Sequence, residues 1–265
     1  MTAPHYVSDF DTLCDEYVRF RRPYSPELFD AIAQVAGGPR GRRALDVACG
    51  SGLSSVGLSE RGWAVTGVDI APSMLAAARS AAPDGRAAFY TASAEALPFA
   101  DGAFALLVCG QAFHWFEPER ALAEFARVLA PGGALAIFWK YAKDNPFGRA
   151  VAGLMSEWTG QKKAPLDVHT AERMAPFWAV TARAGEKRAG AMFVGGERRS
   201  LDFPLRYSVD SYIGYHASRE NLRLAMGPRR EAFLEAARAV VARLAPPSGE
   251  FEIDHQQVIY LAHKP

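Results

Sequence analysis

The chain has 265 residues, 49% of them hydrophobic and 22% charged, with Lys+Arg 30 against Asp+Glu 29 and a net charge of +1. That length suits one large domain, or one domain with a sizeable insertion, and the balanced charge gives no ground for a nucleic-acid partner. Three widely spaced cysteines, Cys14, Cys49 and Cys109, form no metal pattern and point to a reducing compartment. With no apolar signal segment near Met1 and no run of about 18 apolar residues, a cytoplasmic protein without a membrane span is expected.

Residues 1–38 read as an N-terminal segment. Asp9 to Arg22 is helical in part, and Ser25-Pro26 places an N-cap and a first-turn proline before a helix that stops at Gly37-Gly38. From 39 to 140 short apolar runs alternate with helical patterns. Strands are expected at Ala44–Val47, Ala64–Val68, Ala87–Thr91, Phe104–Cys109 and Ala134–Trp139, with helices at Leu53–Arg61, Pro72–Ala81 and Pro118–Leu129. Nearly unbroken apolar strands separated by helices imply a doubly wound α/β fold, a mostly parallel sheet covered on both faces. After Lys140 the rhythm changes, so 141–249 reads as a mixed α/β insertion or lid. It holds helices at Phe147–Gly160, Val209–Met226 and Arg229–Leu244, a mixed stretch with Pro165 and Pro176, and a strand over Met192–Tyr207 interrupted by Gly195-Gly196. Residues 250–265 supply a final strand completing the sheet.

The first strand runs into a glycine turn, Leu45-Asp46-Val47-Ala48-Cys49-Gly50-Ser51-Gly52, and then a helix. Strand, glycine turn and helix together make the βα unit that holds nucleotide-like ligands at a helix N-terminus. A dinucleotide fingerprint wants a third glycine where Ser55 stands, so that pattern is incomplete. Asp69 closes the second strand at the distance where an acid meets ribose hydroxyls, although a turn-capping role is also open to it. Asp46, an acid inside a buried strand, needs partners; loop amides and a ligand ammonium would serve, as would a structural role. Ser93-Ala94-Glu95 follows the third strand, where an adenine edge would lie.

These stretches resemble the class I S-adenosylmethionine-dependent methyltransferases. The glycine turn is similar to that family's first motif, Val65-Thr66-Gly67-Val68-Asp69-Ile70 to its second, and Ala94-Glu95-Ala96-Leu97-Pro98-Phe99 to its third. Arg127-Val128-Leu129-Ala130-Pro131-Gly132-Gly133 resembles the lead-in to the fifth strand. Gly110-Gln111-Ala112-Phe113-His114-Trp115-Phe116 and Arg22-Pro23-Tyr24-Ser25-Pro26 are similar to a small-molecule branch that includes trans-aconitate-methyltransferase-like proteins.

The resemblance implies a Rossmann-like, seven-stranded sheet with its last strand antiparallel. It implies S-adenosylmethionine as cofactor, S-adenosylhomocysteine as product and a small organic acceptor methylated on O, N or C. Asp46, Ala48 and Gly50 would meet the amino-acid end, Gly52 would allow close approach, and Asp69 and Ile70 would hold ribose and adenine. Ser93 stands where many relatives carry an acid for the adenine amino group, with Glu95 or the Ala94 backbone as substitutes. Gln111 and Phe113 would lie beside the sulfonium, while Tyr17 and Arg22 would cover the cofactor from the N-terminal segment. Met74 is either an adenine contact or, more in keeping with its position, core. His114 is the candidate base or substrate-orienting group, unless it only fixes its loop. Two other readings stand beside this one: an RNA or protein methyltransferase, which would want a basic groove, and a non-catalytic cofactor-binding partner. The acceptor and the oligomeric state are open, and the aromatic residues of 141–249 are expected mainly to form that stretch's own core.

Overall fold

Ala44, Leu45, Asp46 and Val47 are all buried in strand β1, Arg43–Val47, and the sheet grows outward from it. A computed structural model describes residues 12–39, 41–82, 85, 87–160 and 171–265; the expectations touching residues 1–11 and 161–170, including Pro165, lie outside the described residues. β1 pairs in parallel with β2, Ala64–Asp69, on one side and with β4, Phe104–Gly110, on the other. β3, Ala87–Thr91, adds in parallel to β2, and β5, Leu129–Ala142, adds in parallel to β4. The remaining strands are β6, Thr181–Arg183, β7, Phe193–Ser208, and β8, Glu250–His263. The full order is β3-β2-β1-β4-β5-β8-β7-β6. Gly132 N donates to Lys264 O, Lys264 N to Gly133 O, and Lys143 N to Asp254 O. Partner numbers fall along β8 as they rise along β5, so these two strands run antiparallel.

The described sheet has eight strands, not the seven expected. The extra one is β6, three residues long and parallel to β7. Two other strands outrun their expected bounds. β5 begins at Leu129 and runs through Pro131-Gly132-Gly133, its register to β4 shifting between Phe104 and Leu106, and β7 continues through Gly195-Gly196. Glycine and proline there mark a bulge or an edge and do not end the strand.

The helices follow their punctuation. α1 spans Cys14–Phe20. α2, Pro26–Ala36, has proline in its first turn, buries Leu28, Phe29, Ile32 and Ala36, and stops at Gly37 in the left-handed region. Ser25 sits at its N-cap, yet its hydroxyl makes no capping bond; its amide donates to Gln257 Oε1 at 3.3 Å. α3 is Leu53–Ser59, α4 Pro72–Ala81 and α5 Pro118–Val128, the last burying Ala121, Leu122, Phe125 and Val128 at helical spacing. Further on come α6, Pro146–Thr159, and α7, Ala171–Val180, which contains Pro176. The helix expected over 209–226 breaks at Ser218-Arg219 into α8, Val209–Ala217, and α9, Glu220–Met226, followed by α10, Arg230–Leu244.

The described residues divide into two compact units. One draws on Pro23–Lys140, Val168–Leu201 and Gln257–Pro265, and its core joins Leu28, Ile32, Leu58 and Trp63 to Val108, Phe138 and Leu261. The other draws on Met1–Arg22, Tyr141–Asp167 and Asp202–Gln256, with Phe147, Tyr207, Tyr212, Phe233 and Phe251 in its core. The stretch 141–249 is thus divided between the units. Tyr207 and Tyr212 serve the second unit's core, while Trp139 and Phe193 are buried in the first.

Gly52 shows why the turn after β1 is glycine-rich. Its φ is +85°, and a Cβ there would meet Ala78 Cβ of α4 at 3.1 Å. Gly52→Ala forces both a left-handed alanine and a displaced helix, so a loss of about 2 kcal/mol and a fall in Tm of about 4–8 °C are expected by differential scanning calorimetry.

Candidate functional site

The parallel strands β1, β2 and β4 deliver their C-terminal ends to one edge of the sheet, where ligands bind in open α/β folds. β1 ends in a turn in which every second residue is left-handed. Ala48 has φ 54°, Gly50 53° and Gly52 85°. Non-glycine residues at positive φ are strained and persist where the surroundings impose them. Cys49 N donates to Val68 O at 3.0 Å, and Gly50 N donates to Asp69 Oδ2 at 2.8 Å. Asp69 Oδ1 accepts from Ala71 N at 2.9 Å, so one carboxylate at the end of β2 fixes two loops. Ile70 beside it is half-buried.

Asp46 is fully buried. Its Oδ2 accepts from Ser54 Oγ at 2.7 Å and Ser55 Oγ at 2.6 Å, both on α3. The expected glycine-loop amides are not its partners. Ser55, which breaks the dinucleotide fingerprint, instead supplies a hydroxyl that a third glycine would lack. Asp46 Oδ1 is buried without any hydrogen-bond partner. Burial drives the pKa of Asp46 up to about 6, the serine hydroxyls pull it partly back, and the charge on Asp69 adds to the rise. An acid with one satisfied oxygen and one orphaned oxygen is suited to a ligand cation or N–H donor. Cys49 and Cys109 are buried, and burial raises both thiols above the usual range, so neither is a nucleophile.

Past β3, Ser93 Oγ donates to the Glu95 carboxylate, Glu95 N donates back to Ser93 Oγ at 3.1 Å, and Glu95 Oε1 accepts from Glu117 N at 3.0 Å. Ala94 is buried. Arg127 of α5 holds this loop by donating to Leu97 O at 2.8 Å and Phe99 O at 2.7 Å while pairing with Glu124 and Asp101. Met74 is buried, as its position in α4 suggested for a core residue.

β4 ends in a second strained residue, Gln111, with φ 64°. Its amide donates to Phe138 O and its side chain to Lys140 O, each at 2.8 Å. Phe113 is buried with its ring edge-on to Phe116. His114 lies in the short turn Phe113–Trp115, and Trp139 Nε1 donates to His114 Nδ1 at 3.4 Å. An indole nitrogen can only donate, so Nδ1 is the acceptor of this pair.

Sequence reasoning passed over Tyr24 and Lys140. A Cβ on Gly110 would lie 2.8 Å from the Tyr24 hydroxyl, so glycine at the end of β4 admits that phenol. Lys140 Nζ donates to Pro23 O at 2.9 Å and sits 5.0 Å from the Tyr24 ring centroid. The signal was present in Tyr24 within the Arg22–Pro26 stretch, but nothing in the spacing tied it to Lys140. A cavity of about 290 Å³ opens beside the turn, lined by Tyr24, Phe29, Ser51, Gly52 and Leu53 among others. A larger one, about 510 Å³, is lined by Trp178, Arg183 and Tyr260 and contains none of the expected site residues. All those residues except Tyr17 and Arg22 fall in the unit that contains Pro23–Lys140; Tyr17 and Arg22 fall in the other.

Residues 45–137 match the family described as Methyltransferase domain. An uncharacterised methyltransferase of Mycobacterium tuberculosis is 39% identical over 139 residues, 52% of this chain and 54% of that protein. A demethylmenaquinone methyltransferase of Chlorobaculum parvum is 32% identical over 167 residues, 57% of this chain and 68% of that protein. The chain spans about half the length of the mycobacterial relatives it matches. A solved structure from Anaeromyxobacter dehalogenans, provisionally described as a type II methyltransferase, superposes with a TM-score of 0.64 at 24% identity, over 92% of this chain and 97% of that one, and bears on the fold alone. The sheet order, the acid-bearing glycine turn and these matches agree: the chain belongs to the class I S-adenosylmethionine-dependent methyltransferases.

Proposed function

We propose that this protein transfers the methyl group of S-adenosylmethionine to a small organic acceptor and releases S-adenosylhomocysteine. The observation that carries the reading is Asp46, a buried carboxylate with one oxygen bound by Ser54 and Ser55 and the other without a partner. The ammonium of the cofactor's amino-acid end matches that oxygen in charge and donor type. Asp69, at the end of β2 and tied to the glycine turn through Gly50 N, would take the ribose hydroxyls, with Ile70 against adenine and Ser93, Ala94 and Glu95 at the adenine edge. Ala48, Gly50 and Gly52 would shape the turn at the amino-acid end, and Gln111 and Phe113 would border the sulfonium.

The cofactor supplies a methyl on a cationic sulfur, an electrophile whose charge disperses as the methyl moves. The protein's part is alignment of nucleophile, methyl and sulfur, and exclusion of water. In this scheme His114 is a positioning residue. With Nδ1 accepting from Trp139, Nε2 would donate a hydrogen bond to an acceptor oxygen or nitrogen. The Chlorobaculum parvum relative is by name a demethylmenaquinone methyltransferase, and the net charge of +1 does not favour a nucleic-acid substrate.

A labelled-methyl transfer screen against phenols, quinols, heterocycles and organic acids tests the reading; transfer to none of them, in the presence of measured cofactor binding, contradicts it. On an acceptor that passes, His114→Ala is expected to lower kcat/KM about tenfold or more, with partial recovery in His114→Gln, whose amide still donates.

A further inference from the structure

A second group of charged residues lies wholly within the unit that contains Asp202–Gln256. α1 ends at Phe20, and Arg21 and Arg22 follow it; Arg219 sits at the N-cap of α9. The guanidinium carbon of Arg21 lies 4.8 Å from the Tyr17 ring centroid and 5.2 Å from that of Tyr215. Arg219 lies 6.0 Å from the same Tyr215 ring, and Arg22 lies 5.5 Å from Tyr207. The rings of Tyr207 and Tyr215 are themselves 6.3 Å apart, so three guanidinium groups share one aromatic cluster.

Gathered cations of this kind ordinarily come with carboxylates. Here three acids of the same elements are committed elsewhere, and Asp15 of α1 is exposed. Glu16 of α1 pairs with Arg230 at 3.0 Å, Glu220 of α9 pairs with Arg223 at 2.7 Å, and Asp210 of α8 pairs with Arg238. Among the described residues, neither Arg21 nor Arg219 has an ion-pair partner. Arg21 donates to Ser218 O at 3.2 Å, while its Nε is buried with no acceptor. His216, on α8 and packed edge-on to Tyr215 and Tyr212, is buried too, and its Nε2 has no partner. Burial, then the charges of Arg219 and Arg21, push its pKa down to about 3, so the ring stays neutral at physiological pH and adds an N–H donor without a further charge.

We propose that Arg21, Arg22 and Arg219 form a binding site for the oxyanion of a small organic acid, a carboxylate or a phosphate ester. Stacking occupies the faces of the guanidinium groups; Arg22 Nη2 donates to Arg206 O at 3.3 Å, and the remaining in-plane N–H donors of Arg21 and Arg219 supply the fork that matches an oxyanion. The anion relieves the mutual repulsion of the cations and satisfies the buried Arg21 Nε. The surrounding tyrosine rings suit a small ligand and offer no extended track for a polymer. Tyr17 and Arg22, which the family resemblance would set against the cofactor, are given to this anion instead. The site stands or falls independently of methyl transfer.

The test uses the full chain, with inorganic phosphate and succinate as probes at constant ionic strength. Both a thermal shift and the side-chain NMR signal of His216 are followed, with His263 as reference. Saturable stabilisation and a saturable shift of His216, but not of His263, are expected, with apparent affinity about tenfold weaker or worse in Arg21→Gln and Arg219→Gln. Preference for one probe separates the phosphate from the carboxylate ligand. Saturating S-adenosylhomocysteine should leave the anion affinity unchanged. Three outcomes overturn the proposal: no saturable response in the wild type, equal affinity in folded variants, or displacement of the anion by S-adenosylhomocysteine, which would make the site the cofactor's own carboxylate end. If a glutamine variant does not fold, the wild-type His216 titration and Arg21→Lys, which keeps the charge and loses the fork, decide the matter.

Discussion

Asp69→Ala is expected to weaken S-adenosylhomocysteine binding by two orders of magnitude or more. The carboxylate does two things at once. It accepts from Gly50 N at 2.8 Å and from Ala71 N at 2.9 Å, tying the glycine turn to the end of β2. In the proposed complex it also meets both ribose hydroxyls. Hydrogen bonds to a charged group contribute about 1.5–3 kcal/mol each, so losing the ribose pair alone corresponds to roughly 3–6 kcal/mol, or a factor of about 10² to 10⁴. Alanine also releases Gly50 and Ala71 from their shared anchor, which adds loop disorder to the loss. Asp69→Asn separates the two effects, since its carbonyl still accepts one amide. It should bind better than Asp69→Ala and worse than the wild type, by isothermal titration calorimetry. Unchanged affinity in Asp69→Ala would remove this residue from the site.

Asp46→Asn is expected to bind the cofactor product more weakly and to unfold at a higher temperature at pH 8. Burial raises the pKa of Asp46 from 3.8 to about 6. The folded protein without ligand therefore holds a proton on Asp46 more tightly than the unfolded chain does. The contribution to stability is fully present below about pH 4 and is lost as pH rises through about 6. Above that, an ionised carboxylate remains in the sheet at a cost of about 3 kcal/mol, from a shift of roughly two pH units. Asparagine avoids the ionisation, keeps an acceptor for Ser54 or Ser55, and should gain most of that difference at pH 8 and little at pH 4. Chemical denaturation at the two pH values reads the contrast. The gain in stability and the loss in affinity come from the same atom, Oδ1, which is costly when bare and useful when an ammonium meets it. A variant as stable as the wild type at both pH values would show that Asp46 is not desolvated as described.

How much of this was legible in the sequence depended on how local each signal was. Strand β1, the helices opened by Pro26, Pro72 and Pro118, and the stop at Gly37 were readable because backbone chemistry specifies them within a few residues. β5 and β7 ran on through their glycines because neighbouring strands, not local propensity, decide where a strand ends. The break between α8 and α9 at Ser218-Arg219 and the three-residue β6 carry no periodic pattern at all. In the site, Asp46 was legible as an acid inside a buried strand and Asp69 as the acid that closes the next. Their partners were less so. Ser54 and Ser55 were visible only as a missing glycine, and Tyr24 meets Gly110 and Lys140 across more than eighty residues of chain, where no spacing rule reaches.

The central claim is that the methyl donor is held by its charged end on Asp46, and a titration of the wild-type protein with S-adenosylhomocysteine across pH tests it most directly. The predicted result is saturable one-to-one binding at pH 7.5, tighter than NAD, that weakens about tenfold by pH 5 as Asp46 takes up its proton, with no such pH dependence in Asp46→Asn. Absence of saturable binding at pH 7.5, tighter binding of NAD, or an identical pH dependence in Asp46→Asn would contradict it.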